Sequence, residues 1–567
     1  MITPQTDVYL LKVPLEIDST NQLTFNNAEA QFNYFYNLPK LGFDNFTYQR
    51  KDGVLRIPEL VDNLMEYNYV MYRNEAYSSK WFYAYITDMN YLSDGVTAVS
   101  IKTDTWQTWQ FALEYKPCLI DREHTNDDTI GANTLPEGLE LGEMVANGPT
   151  QNFGVSGDDE MMVVADVTMI ENYGTNQTLT YSLSSGGTAP SSYANGIPSG
   201  CYHIMIGKGS LIMPNTQRFV ALYDRAGLSD AIQNIYILPY NIVDSSAITT
   251  GLTLSTTGSA PAQSISDLAL ISSQIRDVTH MVTSASYRRP NTLDGYQPKN
   301  NKMYCFPFSY MNVSNNAGTV IPYRYEDFEG TGAYANSVLF EVDGAFCPSG
   351  SIKAVPRDYK NLSYENEDNR YDFAITGAKY PICSWVSDSY TNWLTQSAVN
   401  REVEWRNTLI SGGVDLFGGA ITGGASGVLL GGTAGIKSMI ETAQGQMLAK
   451  TRANFTPDQA HGNVNAGDVV FSKHGCEFTF MPMSVKAEYA RCCDEYLSQF
   501  GYKTNRVKVP NVTGRRNWNF VKTVGCYIKA DIPQDDLQEI KSMFDRGITF
   551  WHNPATFADY SQNNDII

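Results

Sequence analysis

The chain has 567 residues, too many for a single hydrophobic core and enough for about three or four domains. With 60 acidic against 41 basic side chains its formal net charge is −19, so the surface as a whole repels nucleic acid and anionic membrane, though DNA could still pass along it without being held. Nine cysteines, an odd number with no CxxC pair, argue against a disulfide framework and fit free, buried thiols in a reducing cytoplasm.

In chain order, the start MITPQTDVYLLKV lacks a basic segment followed by an apolar core, so no secretory signal is expected. Residues 1–125 read as all-β. Phe43–Gln49 and Val54–Ile57 flank Lys51-Asp52-Gly53, which predicts a hairpin. Trp81–Tyr91 alternates bulky and polar residues and turns at Ser93-Asp94-Gly95 into Val96–Lys102. Asp121–His124 (DREH) and Pro136–Glu143 (PEGLELGE) read as connectors. In residues 150–395, Met161–Met169 is a buried-strand candidate. Gly174–Gly200 and Ser245–Ser264, rich in Ser, Thr and Gly, read as long surface loops, and Ser266–Thr279 as a short helix. Gln396–Arg406 is charged and helical in pattern, and Asp468–Met481 reads as strand. In the last stretch, Val485, Tyr489, Cys492, Cys493, Tyr496, Leu497 and Phe500 follow helical spacing up to Gly501. Tyr502–Val509 and Asn517–Lys529 read as strands. A second helix begins after Pro533, carries the stripe Leu537, Ile540 and Phe544, and ends at Gly547 before a strand Ile548–His552.

The stretch Leu409–Leu448 stands apart. Between Arg406 and Lys437 its only charge is Asp415, and glycines recur at Gly419, Gly423, Gly427, Gly431 and Gly435. A helix with that spacing carries a bare groove along one side, which suits close helix packing in lipid. In water each such glycine costs about 1 kcal/mol against alanine. Composition alone leaves a flexible Gly/Ser/Ala linker as an equal reading. The apolar residues Leu409, Ile410, Val414, Leu416, Phe417, Ile421, Val428, Leu429, Leu430, Ile436, Met439 and Ile440 argue against it. As two helices the stretch would give lengths of about 30 Å, close to a bilayer core.

Catalytic and metal chemistry find little support. Six histidines are isolated, with no HExxH or Cys/His zinc spacing. Cys201 and His203 are near neighbours, but alternation along a strand does not make them a pair. Asp158-Asp159-Glu160 reads as a solvated turn, and Gly431–Ser438 lacks the Gly-Lys adjacency of a phosphate loop. No catalytic residue, metal or cofactor is therefore expected. One basic cluster, Lys503, Arg506, Lys508, Arg515, Arg516, Lys522 and Lys529, has no acid between Glu495 and Asp531. It could meet DNA phosphates, or an acidic face of a neighbouring subunit, which we favour.

The stretches WFYAY after Lys80, DTWQTWQF, DREH and EGL, then VKAEY (Val485–Tyr489), GYKTNRVKVPN (Gly501–Asn511), DLQEI (Asp536–Ile540) and FDRGITFWH (Phe544–His552), resemble in order the tail knob proteins of phi29-like short-tailed bacteriophages. A glycine-rich apolar segment just before the C-terminal block belongs to the same pattern. The resemblance implies a mainly β, α+β fold of β-barrel-like tail-tube domains, and a hexameric ring at the distal end of a virion tail assembled in the host cytoplasm. It implies apolar loops that plug the lumen and, on triggering, form a pore in the host membrane for the genome. Implied partners are copies of itself, an upstream tail or collar protein, the host membrane and double-stranded DNA in transit. A Gram-positive host fits that pattern. On this reading residues 1–149 form a tube domain, 150–395 the knob, 396–467 the plug and 468–567 a part completing the tube. The rivals are an adhesin that uses Tyr-rich middle loops on cell-wall carbohydrate, and a wall-degrading enzyme.

Overall fold

The computed structural model describes residues 6–44, 46, 53–74, 80–155, 161–173, 177–190, 193–194, 197–258, 261–273, 279–328, 337–348, 350–360, 371–385, 460–461 and 475–567. The chain divides into two compact units, one of residues 1–144, 292–308 and 485–567, the other of 145–291 and 309–484. Strands dominate both. The composition-based boundaries at 149, 395 and 467 differ from these contact boundaries, and the excursion 292–308 out of the middle of the sequence carried no signal for its place in the first unit.

In the first unit a six-stranded antiparallel sheet runs in the order Lys40–Phe43, Thr6–Leu11, Tyr69–Asn74, Trp81–Ser93, Val96–Thr103, Val54–Ile57. Alternate residues face opposite sides, and both sides are packed. Val8, Leu10, Leu55, Val70, Ala84 and Val99 fill one face. Leu11, Tyr69, Met71, Tyr83 and Tyr85 fill the other with Phe35 of the helix Ala28–Tyr36, whose ring stacks on Tyr69 at 5.6 Å. That helix starts at Asn27, whose side chain accepts from the Ala30 amide at 2.8 Å. Of the hairpin expected around Lys51-Asp52-Gly53, residues 45 and 47–52 lie outside the described residues. Lys40–Phe43 and Val54–Ile57 pair with Thr6–Leu11 and Val96–Thr103 and lie at opposite edges of the sheet.

A second, five-stranded sheet joins the two ends of the chain. Its order is Asn21–Leu23, Ile548–Trp551, Trp518–Val524, Cys118–Glu123, Tyr502–Lys508. The helix Gln534–Arg546 packs Leu537, Ile540, Met543 and Phe544 in one core with Trp106 and Phe550. Asp121–His124, expected as a connector, belongs instead to an inner strand and its end. Arg122, Glu123 and His124 are buried because each finds a partner from far along the sequence. Arg122 pairs with Glu137 and donates to the Gly501 carbonyl at 2.7 Å, and Glu123 pairs with Lys508 at 2.5 Å. The helix Ala487–Phe500 buries Ala490, Cys493, Asp494 and Leu497, while Cys492, expected on the apolar stripe, is exposed. Gly501 ends it with φ +66°. A Cβ there would lie 2.1 Å from the Glu123 carbonyl oxygen, so the close approach of helix end and inner strand requires glycine.

Residues 292–308 are held by Asp494, whose carboxylate accepts from Tyr296 Oη at 2.9 Å, Lys299 N at 2.8 Å, Asn300 N at 3.1 Å and Asn300 Nδ2 at 2.8 Å. Lys302 adds an ion pair with Glu137.

The second unit is built on a nine-stranded sheet in the order Asn172–Tyr173, Gln177–Leu183, Ile248–Gly258, Gln263–Ile271, Tyr202–Lys208, Met161–Val167, Ile232–Pro239, Ile382–Trp385, Ala460–His461. Every residue of Met161–Val167 is buried, as its apolar run, broken only by Asp166, predicts. The helix Ile212–Arg225 buries Phe219, Leu222 and Tyr223 in the same core. Two expectations are overturned. Ser245–Ser264 contains the strand Ile248–Gly258, and Gly174–Gly200 contains Gln177–Leu183; both are Thr-rich, and threonine's branched Cβ suits a strand. Leu252, Leu254 and Leu179 are their core contacts. The helix expected at Ser266–Thr279 begins instead as the end of the strand Gln263–Ile271, in which Leu268, Leu270 and Ile271 are buried, and its residues 274–278 lie outside the described residues. Two further sheets complete the unit. One is Thr279–Arg288, Ser337–Ala345, Ser351–Pro356 and Ile375–Lys379; the other is centred on Cys476–Val485.

Candidate functional site

The glycine-spaced stretch and all the apolar and glycine positions named in it, from Leu409 to Ile440, lie outside the described residues. So do Gln396–Arg406 and Asp158-Asp159-Glu160. What is described is the base from which the stretch departs. The chain leaves from the strand Ile382–Trp385 and comes back on Ala460–His461. The two pair antiparallel, Ser384 with His461 and Trp385 with Ala460. The outgoing strand pairs in turn with Ile232–Pro239, Tyr236 opposite Ile382 and Ile235 opposite Cys383. Residues 386–459 are thus tied at both ends to one edge of the nine-stranded sheet. Among the described residues no helix is long and apolar enough to cross a membrane, and no group of His, Cys, Asp and Glu could hold a metal ion.

The basic cluster is largely spent within its own chain. Arg515 is buried; Nη2 donates to the Thr125 carbonyl at 2.9 Å and Nη1 to the Asn564 carbonyl at 3.3 Å, and burial lowers its pKa. Lys508 pairs with Glu123, and Lys522 with Asp121 at 3.4 Å. Arg506 donates to the Ala132 carbonyl at 3.0 Å. Arg516 and Lys529 are exposed, and Lys503 is half-buried. The acids that neutralise Lys508 and Lys522 sit on the strand Cys118–Glu123 between the two basic strands. The absence of acid from the local sequence therefore gave a misleading picture of an open positive surface.

Five of the described cysteines, Cys118, Cys305, Cys476, Cys493 and Cys526, are buried free thiols. Cys201 and His203 are not brought together as a pair, in line with their alternation along a strand. His203 lies opposite Asp166 on adjacent strands, and its Nδ1 is 2.6 Å from Asp166 Oδ1. Its Nε2 is 3.0 Å from Ser199 Oγ. Tyr236 Oη donates to the same Asp166 oxygen at 3.2 Å. Asp166 and His203 are buried, with the imidazole edge-on to Phe346 at 5.4 Å, while Ser199 is exposed. Cys201 stays a thiol, since burial and then the Asp166 charge push its pKa up. Sequence reading missed Asp166 and Ser199. Asp166 stands in an otherwise apolar strand, and that lone buried acid was the available signal.

Comparison with known proteins fits this architecture. The family model for the C-terminal domain of the Bacillus phage phi29 tail knob protein gp9 matches residues 273–565, and that for the N-terminus of caudoviral major tail proteins matches residues 4–114. The tail knob protein gp9 of Bacillus phage B103 is 25% identical over 99% of this chain and 98% of its own length; that of phi29 is 25% identical over 98% of both. The solved structure of the bacteriophage C1 tail knob protein gp12 superposes with a TM-score of 0.61 at 13% identity, covering 99% of this chain and all of that one, a likeness of fold. With the first of these models spanning more than half of its length, the chain belongs to the family of the phi29 tail knob protein gp9, structural components of the phage tail.

Proposed function

We propose that this tail knob protein forms a ring of identical subunits, six by the family resemblance, whose Leu409–Leu448 stretches plug the lumen before infection and line a pore in the host membrane afterwards. In this reading the stretch is a loop with two states. In the tube, its apolar residues bury one another, at about 25 cal/mol per Å² of surface removed from water. In lipid, acyl chains replace that contact, and the glycine edge at 419, 423, 427, 431 and 435 lets helices pack closely. The observation that carries it is the paired base, Ser384 with His461 and Trp385 with Ala460: a segment whose two ends share one sheet edge can leave and return without disturbing the body that holds it. A linker between domains has no need of such a base.

The same proposal makes double-stranded DNA a passing cargo, places an upstream tail or collar protein at the other end of the tube, and has the ring assemble in the host cytoplasm. A mainly acidic surface, with Arg515, Lys508 and Lys522 engaged internally, suits passage of DNA better than retention. Negative-stain microscopy of the purified protein should show a six-fold ring, and a peptide spanning 409–448 should release dye from liposomes. A monomer at high concentration together with an inert peptide would defeat the proposal.

A further inference from the structure

Ser199, His203 and Asp166 stand in the order that a serine hydrolase requires. Asp166 carries the acceptor oxygens, so the His203 Nδ1–H donates to Asp166 Oδ1 at 2.6 Å. In the neutral ring this leaves Nε2 as an acceptor, and the Ser199 Oγ lies 3.0 Å from it; the Ser199 hydroxyl proton also has the Cys201 carbonyl as an acceptor, at 2.8 Å. The tautomer set by the buried acid is therefore the one that can take a proton from Oγ. The parts that hold the base are rigid. Asp166 and His203 are register partners on adjacent strands of the nine-stranded sheet, Tyr236 on the next strand donates to Asp166 at 3.2 Å, and Phe346 packs edge-on against the imidazole. The nucleophile's side is open. Ser199 is exposed, and the Gly200 that follows it has φ +71° and no atom within 4 Å of where a Cβ would sit. The Cys201 amide lies 3.3 Å from Ser199 Oγ and donates toward it. A histidine present only to satisfy a core would bond two buried groups; this one links a buried carboxylate to a hydroxyl at the surface.

We propose that Ser199, His203 and Asp166 form a hydrolytic site for small acyl esters carried on solvent-accessible alcohols. The reaction balances with water alone. Ser199 Oγ gives its proton to His203 Nε2 and bonds to the ester carbonyl carbon, and the tetrahedral oxyanion turns toward the Cys201 amide, which in the free site donates toward Oγ. The bond from carbonyl carbon to leaving oxygen breaks, and His203 Nε2 returns the proton to the departing alcohol. Water then gives a proton to Nε2 and attacks the acyl-serine, and Ser199 regains its proton as the acid leaves. Asp166 keeps its role throughout, orienting the ring and balancing the imidazolium. Esters rather than amides are the substrate class, because an alcohol leaves with far less help than an amine and an open turn offers little of it. This site is independent of the pore proposal.

The test is active-site labelling of the folded full-length protein with a fluorophosphonate, with the adduct located by peptide mass mapping. The expected result is one adduct on Ser199 of the unaltered protein, lost in Ser199→Ala. In His203→Gln and Asp166→Asn the labelling rate should fall on the order of a hundredfold, with p-nitrophenyl acetate hydrolysis falling in parallel. A purely structural trio would change the melting temperature of these variants without any adduct on the unaltered protein. No adduct on a protein whose circular dichroism shows it folded, an adduct at another residue, or equal labelling of His203→Gln overturns the proposal. Mapping on the unaltered protein decides between the two even if a variant fails to fold.

Discussion

Asp494→Ala should loosen the first unit at one identifiable place. The carboxylate is fully buried and accepts four hydrogen bonds from residues 296–300, two of them from backbone amides. Truncation leaves those donors dry and unpaired. Breaking a buried charged network of this kind costs about 3–5 kcal/mol, less than the sum of its bonds because the segment relaxes. For a body of about 240 residues that lowers the melting temperature by about 2–4 °C per kcal/mol, or roughly 10 °C in all. Asp494→Asn should cost less, about 1–3 kcal/mol. Its carbonyl oxygen can keep both Asn300 donors, and the Tyr296 hydroxyl can turn to accept, but the Lys299 amide loses its partner. Trypsin gives a local readout, because Lys299 and Lys302 lie in the tethered segment. Cleavage there should accelerate in Asp494→Ala well before the rest of the unit is cut. If Asp494→Ala melts within about 2 °C of the unaltered protein and the segment stays resistant, the carboxylate is not the tether described here.

Acid should weaken the first unit through His124. Burial, and then the charges of Arg515 and Arg122, hold its imidazole down at about 3, and its Nδ1 accepts from the Phe520 amide at 2.8 Å. Since the unfolded ring titrates near 6.5, this stability is whole above that pH and is lost as pH falls toward 3. It amounts to at most about 5 kcal/mol, and His124→Gln should flatten that part of a melting temperature against pH curve. Asp104 acts in the opposite sense. Burial raises its carboxyl to about 6, so its contribution falls as pH rises from about 4 to 6, and Asp104→Asn should remove that slope from the same curve. Gly501→Ala should block soluble expression or cost more than about 3 kcal/mol, because the new methyl meets backbone at 2.1 Å; Gly95→Ala, with φ +80° and open space around it, should cost only about 1 kcal/mol by denaturant titration. Arg515→Ala should lower stability by about 2–3 kcal/mol and leave double-stranded DNA affinity in a gel-shift assay unchanged, because the guanidinium binds Thr125 and Asn564 carbonyls.

The sequence was most readable where local pattern and burial agree. Met161–Val167, the hairpin through Gly95 and the helix ending at Gly547 all carry their period or their stop signal in adjacent residues. It was least readable where a partner lies far along the chain. Arg122, Glu123 and His124 look like a surface connector until Glu137, Gly501, Lys508 and Phe520 are brought beside them. The basic cluster misled for the same reason, as Asp121 and Glu123 neutralise it from some four hundred residues away. Threonine-rich segments such as Ile248–Gly258 were read by polarity when the branched Cβ was the better guide. The Asp166, His203 and Ser199 cluster needed strand register to assemble, and no spacing motif encodes it. The family, by contrast, was legible in the order of short stretches near both termini, two of which, Asp121–His124 and Gly501–Asn511, overlap neighbouring strands of one sheet.

The central claim, that Leu409–Leu448 acts on membranes, is tested most directly by dye release from liposomes with the full-length protein and with Gly427→Leu/Gly431→Leu. The account predicts release by the unaltered protein under at least one condition between pH 4 and 9, and release reduced roughly tenfold or more when two leucines fill the glycine edge. No release at any pH, or equal release by both proteins, would contradict it.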